Sequence, residues 1–186
     1  MALYFRDISK LRNLKILFLT VFLCINLISA AYSKENVFIE ANTFIFSGND
    51  KKVHADGNIE ILQKDIKVIG QKAEYTQDKK EITIWESVKL TYKDIVMNCN
   101  KMIVDSVHEI VYAEGDVHFL YKDIVGQSDK AIFYSKDERV LLQGNTEVKQ
   151  GSDFIKGNEV LISIKDNQIK TIGRTKIKLS PEKMVK

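Results

Sequence analysis

The chain has 186 residues, 45% of them hydrophobic and 28% charged, with a formal net charge of +3. Four basic residues and one acidic residue fall in the first 31 positions, so residues 32–186 carry 24 Lys plus Arg against 24 Asp plus Glu. That zero balance excludes the excess positive charge needed to hold a phosphate backbone, and no nucleic-acid partner is expected.

Residues 1–31 read as a targeting segment. Arg6, Lys10, Arg12 and Lys15 form a basic region, Ile16 to Ile28 is an almost wholly apolar run of 13 residues, and Ser29-Ala30-Ala31 supplies the small residues a signal peptidase needs. Cleavage after Ala31 is expected. The rival is an uncleaved anchor, because the apolar stretch Ile16 to Tyr32 is 17 residues long, at the short limit for a spanning helix of about 20. Cys24 is not expected to carry lipid, since Leu23 stands where a small residue should precede it. Cys99 is then the only cysteine left, so the exported domain holds together without an intramolecular disulfide.

From residue 36 onward short alternating runs replace helical periodicity: Val37-Phe38-Ile39, Phe44-Ile45-Phe46, Ile59-Glu60-Ile61, Val117-His118-Phe119, Glu147-Val148-Lys149. Such runs are half-buried strands. They recur in a register of 29 residues without insertion. One column is Phe46, Tyr75, Val104, Phe133 and Ile162; a second is Val53, Ile82, Val111, Val140 and Ile169; a third is Ile61, Leu90, Phe119, Val148 and Ile177. A period of this size means stacked supersecondary units, each burying its neighbour's apolar face.

Each unit is expected to give three short strands, about fifteen in five units, broken by a glycine column (Gly57, Gly115, Gly144, Gly173) with Glu86 as its exception. Side-chain parity is expected to flip across each glycine break. Glu86-Ser87 replaces Gly-Asn in the second unit, where a different turn is expected. A second turn repeats as Lys64-Asp65-Ile66, Lys93-Asp94-Ile95 and Lys122-Asp123-Ile124, with Gly151-Ser152 replacing it in the fourth unit. The domain is expected over residues 32–179, followed by a tail at 180–186 that contains Pro181.

Chemistry-bearing motifs are scarce. The three aligned aspartates read as turn residues rather than a calcium array, since single carboxylates without further oxygen ligands make a poor cage. His54, His108 and His118 lack metal-ligand spacing. Cys99 sits in a strand segment with no glycine elbow or neighbouring histidine, so an inert buried thiol is expected. No phosphate loop, dinucleotide fingerprint or paired carboxylates appear, so neither an enzyme nor a cofactor or metal is expected. The apolar columns admit two readings: filling between two sheets, or the lining of a groove for something greasy.

Val37-Phe38-Ile39-Glu40-Ala41, His54-Ala55-Asp56-Gly57-Asn58-Ile59-Glu60-Ile61, Gln71-Lys72-Ala73-Glu74-Tyr75 and Tyr112-Ala113-Glu114-Gly115-Asp116-Val117 resemble the OstA-like repeats of the LptA family of periplasmic lipopolysaccharide transport proteins. The likeness covers nearly all of residues 36–179. It implies an all-β, twisted β-jellyroll, a solenoid-like stack of antiparallel strands whose interior holds acyl chains between the inner and outer membranes. The implied lipid-facing residues are Val37, Ile39, Phe46, Tyr75, Leu90, Phe119 and Phe133.

The edges implied to dock an LptC-like inner-membrane subunit, an LptD-like outer-membrane protein or another copy head to tail are Val37, Phe38, Ile39 and Glu40 at one end. At the other they are Thr175, Lys176, Ile177, Lys178 and Leu179, or alternatively Val160 to Ile164. Two alternatives stay open: a membrane-anchored LptC-like subunit, and a structural β-solenoid that binds no lipid.

Overall fold

The computed structural model describes residues 36–180; the leader expected over residues 1–31 lies outside them, as do residues 181–186 of the expected tail. Twelve strands form in chain order. They are β1 (Phe38–Glu40), β2 (Thr43–Ser47), β3 (Lys52–Gln63), β4 (Ile66–Thr76), β5 (Glu81–Tyr92), β6 (Ile95–Asp105), β7 (Ile110–Tyr121), β8 (Ile124–Tyr134), β9 (Arg139–Gln150), β10 (Asp153–Ser163), β11 (Gln168–Ile172) and β12 (Lys176–Lys178). All neighbours are antiparallel in one unclosed sheet, ordered β1-β3-β4-β5-β6-β7-β8-β9-β10-β11, with β2 also on β3 and β12 also on β10.

One repeat is therefore two long strands, not three short ones. A 12-residue strand such as β3 leads through Lys64-Asp65 into an 11-residue strand such as β4, and residues 77–80 return the chain to β5. The two-residue turn needs a left-handed residue at its first position. Lys64, Lys93 and Lys122 take it with φ of 50° to 54°, and Gly151 takes it with φ of 60°.

Except at Gly173, where β11 stops at Ile172, the glycine column does not end strands. Asp56 pairs with Lys72 and Ile59 with Gly70, so Gly57 and Asn58 together oppose Gln71 alone: a bulge that bends the strand while the ladder continues on both sides. Gly57 and Asn58 both have positive φ, 77° and 49°. Contrary to the sequence expectation, Glu86 and Ser87 make the same bend, at φ of 66° and 55°, and the shift in register falls at the same place.

Nor does parity flip across the glycine breaks. Ala55 and Ile59 are both buried, as are Ile84 and Val88, and Ala113 and Val117. Two residues are spent in each bulge, an even number, so the inward face is kept. The flip falls on the partner strands, which spend one residue: there the buried pairs are three apart, Cys99 with Met102, Ser128 with Ala131.

The bulges line up along one spine and fold the sheet into two layers. The front layer holds the strand halves joined by the two-residue turns (59–70, 88–99, 117–128, 146–157), flanked by β1 and β12. The back layer holds the halves joined by the four-residue turns (72–85, 101–114, 130–143, 159–172), flanked by β2 at its start and ending in β11. The apolar columns of both layers face each other and make one continuous core.

Candidate functional site

The layers are joined at the spine but meet again at the opposite rim, where they are offset. Lys64, in the β3–β4 turn, reaches Glu109, in the β6–β7 turn, at 2.8 Å. Lys93, in the β5–β6 turn, reaches Glu138, in the β8–β9 turn, at 2.5 Å. The ring of Tyr92 on β5 lies 5.2 Å from that of Phe133 on β8. Each contact pairs a front strand with a back strand three places later, which is the tilt expected when twisted sheets pack face to face.

This offset decides what is covered. In the middle of the molecule both inner faces are sealed: Leu90 and Phe133 are 0% exposed and Phe119 is 1%. At the N-terminal end the back layer starts before any front strand opposes it. Phe44 pairs with Ala55, and Phe46 with Val53 and through it Tyr75, which puts these rings on the inner face. Phe46 is nonetheless 77% exposed, and a cavity of about 400 Å³ opens there between Phe46, Val53, Tyr75 and Gln77. At the C-terminal end the front layer runs on past its cover. Ile177 pairs with Ile155, which pairs with the buried Val148, so Ile177 shares their inner face yet is 52% exposed.

The residues singled out from the sequence thus fall into three groups. Val37 and Ile39 are half-buried against the core beside and within the front-layer edge strand β1, whereas Phe46 and Tyr75 line the cavity at the N-terminal end of the back layer. Leu90, Phe119 and Phe133 lie deep between the layers. Among the proposed edges, Phe38–Glu40 form β1 and Lys176–Lys178 form β12, each with no further strand on its outer side among the described residues. The alternative C-terminal edge, Val160 to Ile164, is not an edge: Val160–Ser163 are paired with β9 on one side and β11 on the other.

Sequence reasoning missed the inner-face exposure of Phe44 and the rim pairs. The rim signal was present, because 109 and 138 stand 45 residues beyond Lys64 and Lys93, but only the strand offset shows that this spacing means contact.

The chemistry of the interior is apolar and unreactive. Burial pushes the Cys99 thiol up to about 11, and its Sγ donates to the Lys101 carbonyl oxygen at 3.1 Å. At the rim, the hydrogen bond from the Lys93 ammonium holds the Glu138 carboxyl below its usual value. Among the described residues no group of three or more His, Cys, Asp or Glu side chains gathers to hold a metal, and the three turn aspartates stay apart.

The fold thus sets two offset apolar layers face to face, packed shut in the middle and with inner faces exposed at both ends. The family model described as LptA/(LptD N-terminal domain) LPS transport protein matches residues 38–168. The chain belongs to this family, whose function, transport, is not enzymatic. Among solved structures, the chain is similar to LptH, the LptA homologous periplasmic component of the lipopolysaccharide transport device from Pseudomonas aeruginosa. That match has 12% identity and a TM-score of 0.35, covering 80% of this chain and 97% of LptH. No curated protein matches this chain.

Proposed function

We propose that this chain is a periplasmic bridge that shields lipopolysaccharide acyl chains on their way from the inner to the outer membrane. The observation that carries it is the complementary exposure of the inner faces: back-layer Phe44 and Phe46 at the N-terminal end, front-layer Ile177 at the C-terminal end. Two copies set head to tail supply each other's missing layer and continue one apolar interior. Ten strands along the sheet at about 4.8 Å each make a body on the order of 40 Å long, so such joints extend the path.

Physical chemistry demands continuous cover. Each buried methylene is worth about 0.8 kcal/mol, so a 14-carbon chain exposed to water costs about 10 kcal/mol and a multi-acyl lipid several times that. In this reading Val37, Ile39, Phe46 and Tyr75 receive or pass chains at the N-terminal opening, and Leu90, Phe119 and Phe133 line the interior. β1 and β12 offer the edges on which an LptC-like or LptD-like partner, or another copy, adds strands.

Photo-cross-linkers placed at Phe46 and Tyr75 should capture lipopolysaccharide, whereas one at the outward, exposed Glu40 should not. Equal capture at all three positions, or none, would count against the groove.

A second reading draws on the sealed middle. Leu90, Met97, Met102 and Phe133 are wholly buried by other side chains, as in a structural β-solenoid whose columns are only core. Absence of lipid binding by a folded, self-associating protein would favour it. An LptC-like anchored subunit is separated by N-terminal sequencing of the exported protein, since a start near Tyr32 removes the anchor.

A further inference from the structure

We propose that Lys64–Glu109 and Lys93–Glu138 are clasps that hold the long rim of the groove shut, and that the rim, when they part, is a sideways route for lipid. The inference rests on the transport reading above.

The two layers are continuous along the spine, where every central strand runs through a bulge. Along the rim they are separate: each layer ends in its own hairpin turns, and among the described residues no strand crosses from one to the other. The rim is thus the line along which the layers can part without breaking ladder hydrogen bonds. Both clasps span it with exposed side chains, and one is tied further by the Tyr92 hydroxyl, which donates to Glu138 at 3.3 Å. Directly beneath lie Ile66, Val104 and Val111 at the first clasp, and the Tyr92–Phe133 ring pair at the second.

A lipid whose chains lie between the layers must keep its polar headgroup in water, and a closed rim leaves only the ends for that. Parting the rim lets chains enter or slide while the headgroup stays outside.

The repeat supplies its own comparison. The third rim position combines Lys122 with Asn167, 45 residues on, where the first two have glutamate. Lys122 instead lies over the Tyr121 ring, at 5.0 Å. Asn167 has φ of 49°, close to the 57° and 51° of Glu109 and Glu138, so glutamate fits the same turn there.

The test uses the mature chain and two readouts. The first is maleimide labelling of a reporter chain, Cys99→Ala with Val111→Cys, whose only thiol replaces a side chain that is 1% exposed directly beneath the first clasp and so reports rim opening without lipid. The second is the rate of loading with purified lipopolysaccharide. Glu109→Lys with Glu138→Lys should raise both rates about tenfold. The four-residue charge swap, adding Lys64→Glu and Lys93→Glu, should restore them. Asn167→Glu should slow loading.

Because exposed pairs are screened by salt, labelling of the reporter chain with both clasps intact should quicken from low to high salt. The milder Glu109→Gln with Glu138→Gln chain, with melting checked, should lose that dependence. Labelling that ignores charge and salt overturns the clasps while leaving wild-type lipid binding intact. Faster labelling with no lipopolysaccharide bound by any chain, wild type included, overturns the transport reading and the lipid route with it.

Discussion

Tyr92 and Phe133 lie on different strands of one sheet, three places apart, yet their rings meet at 5.2 Å because the sheet is folded over on itself. That contact fixes the offset between the layers, and from the offset follow the sealed middle, the open ends and the rim pairs.

Phe133 is wholly buried at this contact. Phe133→Ala should cost about 3 to 5 kcal/mol, the usual range for emptying a large aromatic site. Phe133→Asp, which places a carboxylate between the layers, should unfold the domain. Denaturant melts check both. The residue is therefore a poor place to test lipid contact by charge.

Phe46 gives the cleaner test, because its ring is exposed at the opening. Phe46→Asp should leave the melting temperature nearly unchanged, weaken self-association in sedimentation and reduce lipid cross-linking from Tyr75. A chain with normal self-association and normal cross-linking would show that this end is not a joint.

The spine makes a prediction of opposite sign at two repeats. Glu86 holds a left-handed conformation that costs an L-residue about 1 to 2 kcal/mol, and its exposed pair with Lys72 offsets little of that. Glu86→Gly with Ser87→Asn should raise the melting temperature by about 3 °C. Gly115→Ala imposes the same strain where it is now absent, at φ of 77°, and brings a methyl within 2.9 Å of Asn100 Nδ2. It should lower the melting temperature by a similar amount.

Cys99 adds a pH dependence. Its thiol is raised by burial from 9.0 to about 11, so the folded state favours the neutral form. The stability this contributes is complete below pH 9 and is lost as pH rises through about 11. On the order of 2 to 3 kcal/mol is involved. Comparing chemical melts of wild type and Cys99→Ala from pH 7 to 11 should show the extra alkaline loss in wild type alone.

Much of this was legible in the sequence. The 29-residue columns name residues that do face the core, such as Ile82, Leu90 and Val140, because a buried face must be apolar in every repeat. The Lys-Asp turns were legible for the same reason of repetition. Strand length and parity were not: glycine reads as a breaker, and whether Gly57 ends a strand or bulges within it depends on the partner strand's count of one residue, Gln71, which no single strand displays. The exposure of Phe46 was equally hidden. It belongs to the same column as Phe133 and differs only in having no layer opposite it, which is a property of the fold's end rather than of the residue.

The most direct test is native mass spectrometry of the protein purified from the cell envelope under mild conditions. A population carrying a bound acylated lipid of lipopolysaccharide mass is expected, diminished in Phe46→Asp. A folded chain that is uniformly lipid-free, and stays so after incubation with purified lipopolysaccharide, would contradict it.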